Sequence, residues 1–189
     1  SLICFNVVKS AHLLAKKNKA NLDAFSNIKQ FILKQTLELK EEDFLSFANM
    51  IFDYEVNDMI PSLLKLLENL NTPEAIELIK KNSQKTGAPL IRDYCSLSLY
   101  RKTNEQKYEK YIIDWINRHD KTQLIKLKEV VPKKDLMPSG SFELTSEEKS
   151  QLLIEMYIAL ASKQDERRIA YLVNAIKEAH PVNRYALVG

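Results

Sequence analysis

Residues 88–101 constrain the fold of this chain more than any other segment, because they predict a helix that is apolar on most of its circumference. Two neighbouring stripes of apolar or small side chains run along it: Leu90, Tyr94 and Leu97 in the first, and Ile91, Cys95, Ser98 and Leu99 in the second. So wide an apolar arc must be covered on two sides. Stacked helical hairpins provide this cover, since each inner helix packs on its partner and on the next hairpin. The segment therefore predicts an α-solenoid.

The same segment resembles the second helix of a HEAT repeat. The residues that carry the resemblance are Pro89, Ile91-Arg92, the small residues Cys95 and Ser98, and Leu99. In that family a proline turn leads into Val-Arg-x-x-Ala-x-x-Ala-Leu, and the small positions let neighbouring helices approach closely. The family's arginine usually ties one repeat to the next. The resemblance thus implies a structural, inter-repeat role for Arg92.

The end of the chain repeats part of this pattern. Pro181 and Arg184 have the spacing of Pro89 and Arg92, and the two arginines are 92 positions apart. That separation is about two repeats of 40–47 residues, the length expected for HEAT units.

Composition favours an all-α protein. Only 3 glycines and 6 prolines occur in 189 residues, and no stretch alternates convincingly between apolar and polar side chains. Capping signals and helical stripes predict about nine or ten helices, arranged as an α-α superhelix, a HEAT-like solenoid of antiparallel hairpins. We expect a single HEAT-like domain over residues 1–189, with an inter-helix loop at residues 132–144, where two prolines and a glycine interrupt the helical pattern.

The ends of the chain are apolar, whereas a solenoid needs polar terminal helices. The hypothesis from the sequence is therefore that the chain is a piece of a longer array, or that its ends dock on another molecule. No apolar run approaches the roughly 20 residues of a membrane span. The first residues make a poor signal peptide, and Cys4 and Cys95 match no disulfide framework. These features predict a cytoplasmic protein.

Residue types that carry chemistry are scattered. His12, His119 and His180 lie at separate helix ends, and none has a partner at metal-ligand spacing. Some HEAT-like enzymes bind iron through His-Glu pairs, but glutamate follows none of these histidines. The glycines form no phosphate-binding loop. We expect no catalytic residue, no cofactor and no metal, and we expect Trp115 to be a core residue.

The formal charge of +3 is unevenly distributed. Residues 72–138 carry 14 basic and 9 acidic side chains, whereas residues 1–71 carry 8 and 9, and residues 139–189 carry 6 and 7. The default interpretation of this surplus is a solvated lysine face. If it binds a partner, four lysines are the predicted contacts: Lys126, Lys128, Lys133 and Lys134. An acidic protein surface is the favoured partner.

These observations predict a non-catalytic protein–protein interaction scaffold that uses the concave face of the solenoid. The alternative is a nucleic-acid-binding HEAT-like protein, similar to the HEAT-like DNA glycosylases, which would use a basic face over residues 107–134. That alternative requires salt-sensitive binding and a solvent-accessible Trp115. A third hypothesis is a compact helical bundle whose HEAT-like spacing is accidental.

Overall fold

The computed structural model describes residues 1–18, 21–103, 105–120, 124–126, 146–163 and 166–188. These residues form ten α-helices: α1 Leu2–Lys17, α2 Leu22–Gln35, α3 Glu41–Asp53, α4 Ile60–Leu70, α5 Pro73–Ser83, α6 Pro89–Lys102, α7 Gln106–His119, α8 Ser146–Ala161, α9 Glu166–Glu178 and α10 Pro181–Val188. Three short 3-10 segments accompany them: Thr36–Glu38, Asn57–Met59 and Leu124–Lys126. Within the described residues there is no strand, so the predicted all-α class is confirmed. The predicted loop at 132–144 lies outside them.

Local sequence signals explain where several helices begin and end. Thr72 caps α5, because its hydroxyl accepts a hydrogen bond from the Ala75 amide at 3.4 Å, and Pro73 occupies the first turn. Helix α4 ends at Asn71, whose φ of 53° is left-handed, a conformation that asparagine tolerates well. Glu105 is the N-cap residue of α7.

The chain divides into two compact units. The first unit is Ser1–Lys85, in which α1 packs on α2 and α3, and α3 packs on α4 and α5. Its core contains large apolar side chains from α3 and α4 that are fully buried: Phe47, Ile51, Phe52, Ile60, Leu63 and Leu67. The predicted single domain over residues 1–189 stays a prediction.

The second unit is Thr86–Gly189. Here α6 packs on α7 and α8, and α8 also contacts α9 and α10. Every residue of α6 from Leu90 to Tyr100 is buried except Arg92. The helix predicted to be apolar on most sides is therefore covered on most sides, and it forms the centre of this unit.

In the described parts of the chain, no helix combines the length and the apolar character that crossing a bilayer requires.

Candidate functional site

Helices α1 and α2 expose an apolar surface. The buried side of α1 is made of small side chains, Val8, Ala11 and Ala15, which let its neighbours approach closely. Its other side and the facing part of α2 carry large apolar residues that remain accessible to solvent: Leu2, Ile3, Val7, Leu13, Leu14, Leu22, Ile28 and Phe31. Ile3 is 81% exposed and Phe31 60%. Contiguous exposed apolar surface is typical of interaction sites.

A groove of about 460 Å³ lies between these two helices. Its lining is mainly apolar, with Ile3, Val7 and Leu14 from α1 and Phe25 and Ile28 from α2. The three α1 residues are separated by four and seven positions, that is by about one and two helical turns, so they form a single row along the helix. The groove therefore has an apolar wall on each side and extends along most of α1.

An ion pair between a buried lysine and a solvent-accessible aspartate holds α2 in place beside this groove. Lys29 is 3% exposed, and its ammonium group is paired with the Asp58 carboxylate in the 3-10 segment before α4. Lys29 directly follows Ile28, which lines the groove. Because a buried charge needs a partner, this pair ties the register of α2 to the core of the first unit.

The stretch of sequence that forms the two groove helices is mostly basic. Residues 1–35 contain six basic side chains and one acidic side chain, Asp23, whereas residues 36–71 contain two basic and eight acidic ones. Helix α1 has no acidic residue at all. The groove thus belongs to a basic helix pair within a chain whose net charge is small.

Of the four lysines predicted to contact a partner, the structure describes one. Lys126 ends the segment Leu124–Lys126 and is paired with Glu178 of α9, with 2.6 Å between Nζ and Oε2. Lys128, Lys133 and Lys134 lie outside the described residues. The predicted contact surface therefore stays a prediction, and its described member already has an acidic partner within the chain.

A second cleft, of about 390 Å³, lies beside Lys126 in the second unit. Asp120, Tyr157, Tyr171 and Glu178 are among its lining residues. The Tyr157 hydroxyl donates to Asp120, and burial together with this hydrogen bond raises the pKa of Tyr157, so the phenol stays protonated. Because both carboxylates of the cleft are already paired with protein groups, it attracts a charged ligand less than its residue types suggest.

A buried polar cluster joins α6 to α7. The Asp93 carboxylate accepts hydrogen bonds from Trp115 Nε1 at 2.8 Å, from Arg92 Nε at 2.9 Å and from the Tyr111 hydroxyl. Burial and the Asp93 charge raise the pKa of Tyr111, which therefore remains a donor. Asp93 is 2% exposed and Trp115 1%. The cluster is fully inside the second unit, and its groups bind one another.

The structure gives Arg92 and Arg184 different contacts. Arg92 Nε also donates to the Tyr111 hydroxyl at 3.1 Å, so this arginine bridges α6 and α7. Arg184 instead donates to the Ala179 and Lys177 carbonyls at the end of α9. The shared Pro-x-x-Arg spacing does not produce a shared interaction, and the inter-repeat role of Arg92 stays a prediction.

The histidines do not gather into a site. Among the described residues, no three His, Cys, Asp or Glu side chains are placed to hold a metal ion. His12 packs against Tyr54, and His119 stacks on Trp115 with the ring centroids 3.8 Å apart. Burial lowers the pKa of both, and for His12 the charges of Lys16 and Lys29 lower it further. Both imidazoles are packing elements whose neutral form the fold favours.

Because the pKa of both histidines is lowered in the folded chain, we expect the free energy of unfolding to decrease as the pH is lowered below 6.5, the ordinary histidine pKa. Between that value and the lower native pKa values, the unfolded chain binds more protons than the folded chain, so the free energy of unfolding decreases as pH decreases. Urea midpoints at about pH 7.5 and about pH 5.5 measure the effect. In the double variant His12→Gln with His119→Gln we expect a smaller decrease; an unchanged decrease would assign it to other groups.

The α1–α2 groove is a feature that our sequence predictions did not identify. The available signal was the apolar segment at the start of the chain, which indicated a docking surface without locating it. Residues 1–35 have a basic surplus, but it does not show in the net charge of residues 1–71, because the acidic residues of 36–71 cancel it.

Comparisons of the chain with protein-family models, curated proteins and solved structures each gave no match. The HEAT-repeat resemblance therefore rests on the residues of α6 alone.

Proposed function

We propose that this protein is a non-catalytic protein–protein interaction module, and that the α1–α2 groove binds an amphipathic helix of a partner protein. The exposed apolar groove is the observation that carries this proposal. Leaving groove residues such as Ile3 and Leu14 in water forgoes hydrophobic stabilisation of about 25 cal/mol per Å² of apolar surface. A partner that covers them recovers it.

The shape of the groove supports a helix as the occupant. Helix α1 has 16 residues and is therefore about 24 Å long. Its groove residues Ile3, Val7 and Leu14 form one row, with Phe25 and Ile28 opposite. A partner helix with apolar residues at i, i+3 or i+4, and i+7 presents a matching row, which is the usual helix-in-groove mode of recognition.

The proposed architecture is a HEAT-like stack of hairpins. In the first unit, α1 contacts both α2 and α3, and α3 contacts both α4 and α5. Contacts of alternate helices with the next two, as α1 and α3 make them, are compatible with stacked hairpins. In the second unit, α6 has the wide buried arc that an inner helix of such a stack needs.

The lysines 126, 128, 133 and 134 are a proposed second contact surface. The nucleic-acid alternative has less support, because the tryptophan that it requires to be accessible is 1% exposed and donates to Asp93.

The proposal is tested with a panel of three labelled amphipathic peptides, each of about 16 residues, the length of α1. They share one Leu/Ile face and differ only in a polar face of Glu, Gln or Lys. We expect at least one peptide to bind. The double variant Val7→Glu with Ile28→Glu should weaken that binding at least about 10-fold, because it puts unpaired carboxylates in an apolar groove.

The matched control is Leu37→Glu, a substitution of an exposed apolar residue in the same unit that does not line the groove. We expect this variant to bind as the unchanged protein does, with the same far-UV circular dichroism. The proposal is wrong if no peptide binds, or if Leu37→Glu weakens binding as much as the groove variant.

A further inference from the structure

We infer that the partner helix is acidic: its apolar face occupies the α1–α2 groove, and a carboxylate on its flank meets Lys17 at the end of α1. This inference rests on the proposed function and adds the chemical class of the partner. Its basis is the charge that the fold leaves around the groove.

The charge at the end of α1 is not neutralised within the described residues. Lys16 and Lys17 are exposed, and no described carboxylate lies within ion-pair distance of either. The lysine of α2 that does have a carboxylate partner, Lys29, is buried away from solvent. Lys9 lies over the Tyr54 ring, with Nζ 5.1 Å from its centroid, on the side of α1 that faces α3.

Position on the helix connects Lys17, but not Lys16, to the groove. Lys17 follows Leu14 by three residues and therefore lies on the same side of α1, one turn beyond the groove lining. Lys16 follows His12 by four residues and lies with it on the side of α1 that faces Tyr54. A carboxylate that approaches the groove meets the Lys17 ammonium group at the rim of the apolar surface, where complementary charge speeds association and selects the partner.

A protein helix fits this surface better than the other polyanions do. A bilayer is flat, whereas Val7, Leu14, Phe25 and Ile28 line a concave groove between two helices. A nucleic acid needs polar donors along its backbone, and the walls of this groove are mainly apolar. The combination of an apolar groove with a basic rim is complementary to an amphipathic helix with glutamate or aspartate beside its apolar row.

The same peptide panel tests the inference. We expect affinity to decrease in the order Glu face, Gln face, Lys face, and the advantage of the Glu peptide to shrink between about 50 mM and about 300 mM salt. Lys17→Gln should weaken the Glu peptide roughly 3- to 5-fold and leave the Gln peptide unchanged within about twofold. The matched control is Lys16→Gln, which removes the same charge one position away, on the side of α1 that faces Tyr54.

The outcomes separate the two claims. Groove-dependent binding with equal affinity for the Glu, Gln and Lys peptides overturns the acidic-partner inference and keeps the proposed function, whereas no binding of any peptide overturns both. An equal loss in Lys17→Gln and Lys16→Gln also overturns the inference, since the effect is then one of net charge. The last experiment uses vesicles of phosphatidylcholine and phosphatidylserine. If the protein binds these vesicles through the groove and the Glu peptide does not displace them, the acidic-partner inference is overturned in favour of a membrane surface.

Discussion

Replacing Asp93 with alanine is expected to lower the free energy of unfolding of the second unit by about 3 kcal/mol. The substitution leaves the buried Trp115 indole N–H and the Tyr111 hydroxyl without their acceptor, and each unsatisfied donor costs roughly 1–2 kcal/mol. It also removes the carboxylate that is paired with Arg92. Trp115 is the single tryptophan of the chain, so its fluorescence during urea unfolding reports on this unit.

The control for this prediction is Asp114→Ala, which removes an exposed carboxylate from the same helix that carries Trp115. Its effect should stay within about 0.5 kcal/mol. A second test uses Trp115→Phe, which removes the N–H donor and keeps an aromatic ring. With unfolding followed by circular dichroism, Asp93→Ala should cost about 1 kcal/mol less in that background. If Asp93→Ala cost the same stability with Trp115 as with Trp115→Phe, the hydrogen bond between Asp93 and Trp115 would not be stabilising. If Asp93→Ala and Asp114→Ala cost the same, the cluster as a whole would not be.

Replacing Asp58 with alanine is expected to destabilise the first unit by roughly 1–2 kcal/mol, because it leaves the buried Lys29 ammonium without its counter-ion. The loss is smaller than for a fully buried pair, since the Asp58 side chain is 41% exposed and its charge is screened by water. Lys29 adjoins Ile28, which lines the groove, so the variant should also lower the affinity of the groove for its peptide. Urea unfolding followed by circular dichroism measures the first effect, and titration with the peptide panel measures the second.

A second substitution separates the unpaired charge from a loss of packing. Lys29→Met keeps a long apolar side chain at this position and removes the charge. The double variant Lys29→Met with Asp58→Ala should therefore recover most of the lost stability, since replacing a buried ion pair by apolar groups is often neutral or stabilising. If the double variant were as unstable as Asp58→Ala alone, the cause would be packing around Asp58 and the ion-pair explanation would be wrong.

The chemistry of single helices was predictable from the sequence because its causes are local. Thr72 followed by Pro73 is a local start signal for α5, and the stripes of residues 88–101 predicted the buried arc of α6. The core position of Trp115 was also predicted, since it lies on the apolar side of α7. Its hydrogen-bond partner was not: the neighbouring Asp114 is exposed, and the acceptor is Asp93, 22 residues away on another helix.

The candidate site shows the same division. Both helices that form the groove had recognisable apolar stripes, and the lysines of residues 1–35 are visible in the sequence. A stripe indicates that a face is apolar, but it does not indicate whether another helix covers that face. In α1 the covered side turned out to be the small residues Val8, Ala11 and Ala15, and the larger Ile3, Val7 and Leu14 remained exposed.

The sequence by itself determined the all-α class and most of the helices, because capping and hydrophobic periodicity act within a few residues along the chain. Only the tertiary structure decided which faces are covered, that Lys29 is paired with Asp58, and that Asp93 binds Trp115. These outcomes depend on the approach of residues that are far apart in the chain, and the energies of many competing contacts differ by only about 1 kcal/mol each. The hydrophobic periodicity of one segment therefore does not indicate which distant segment it contacts.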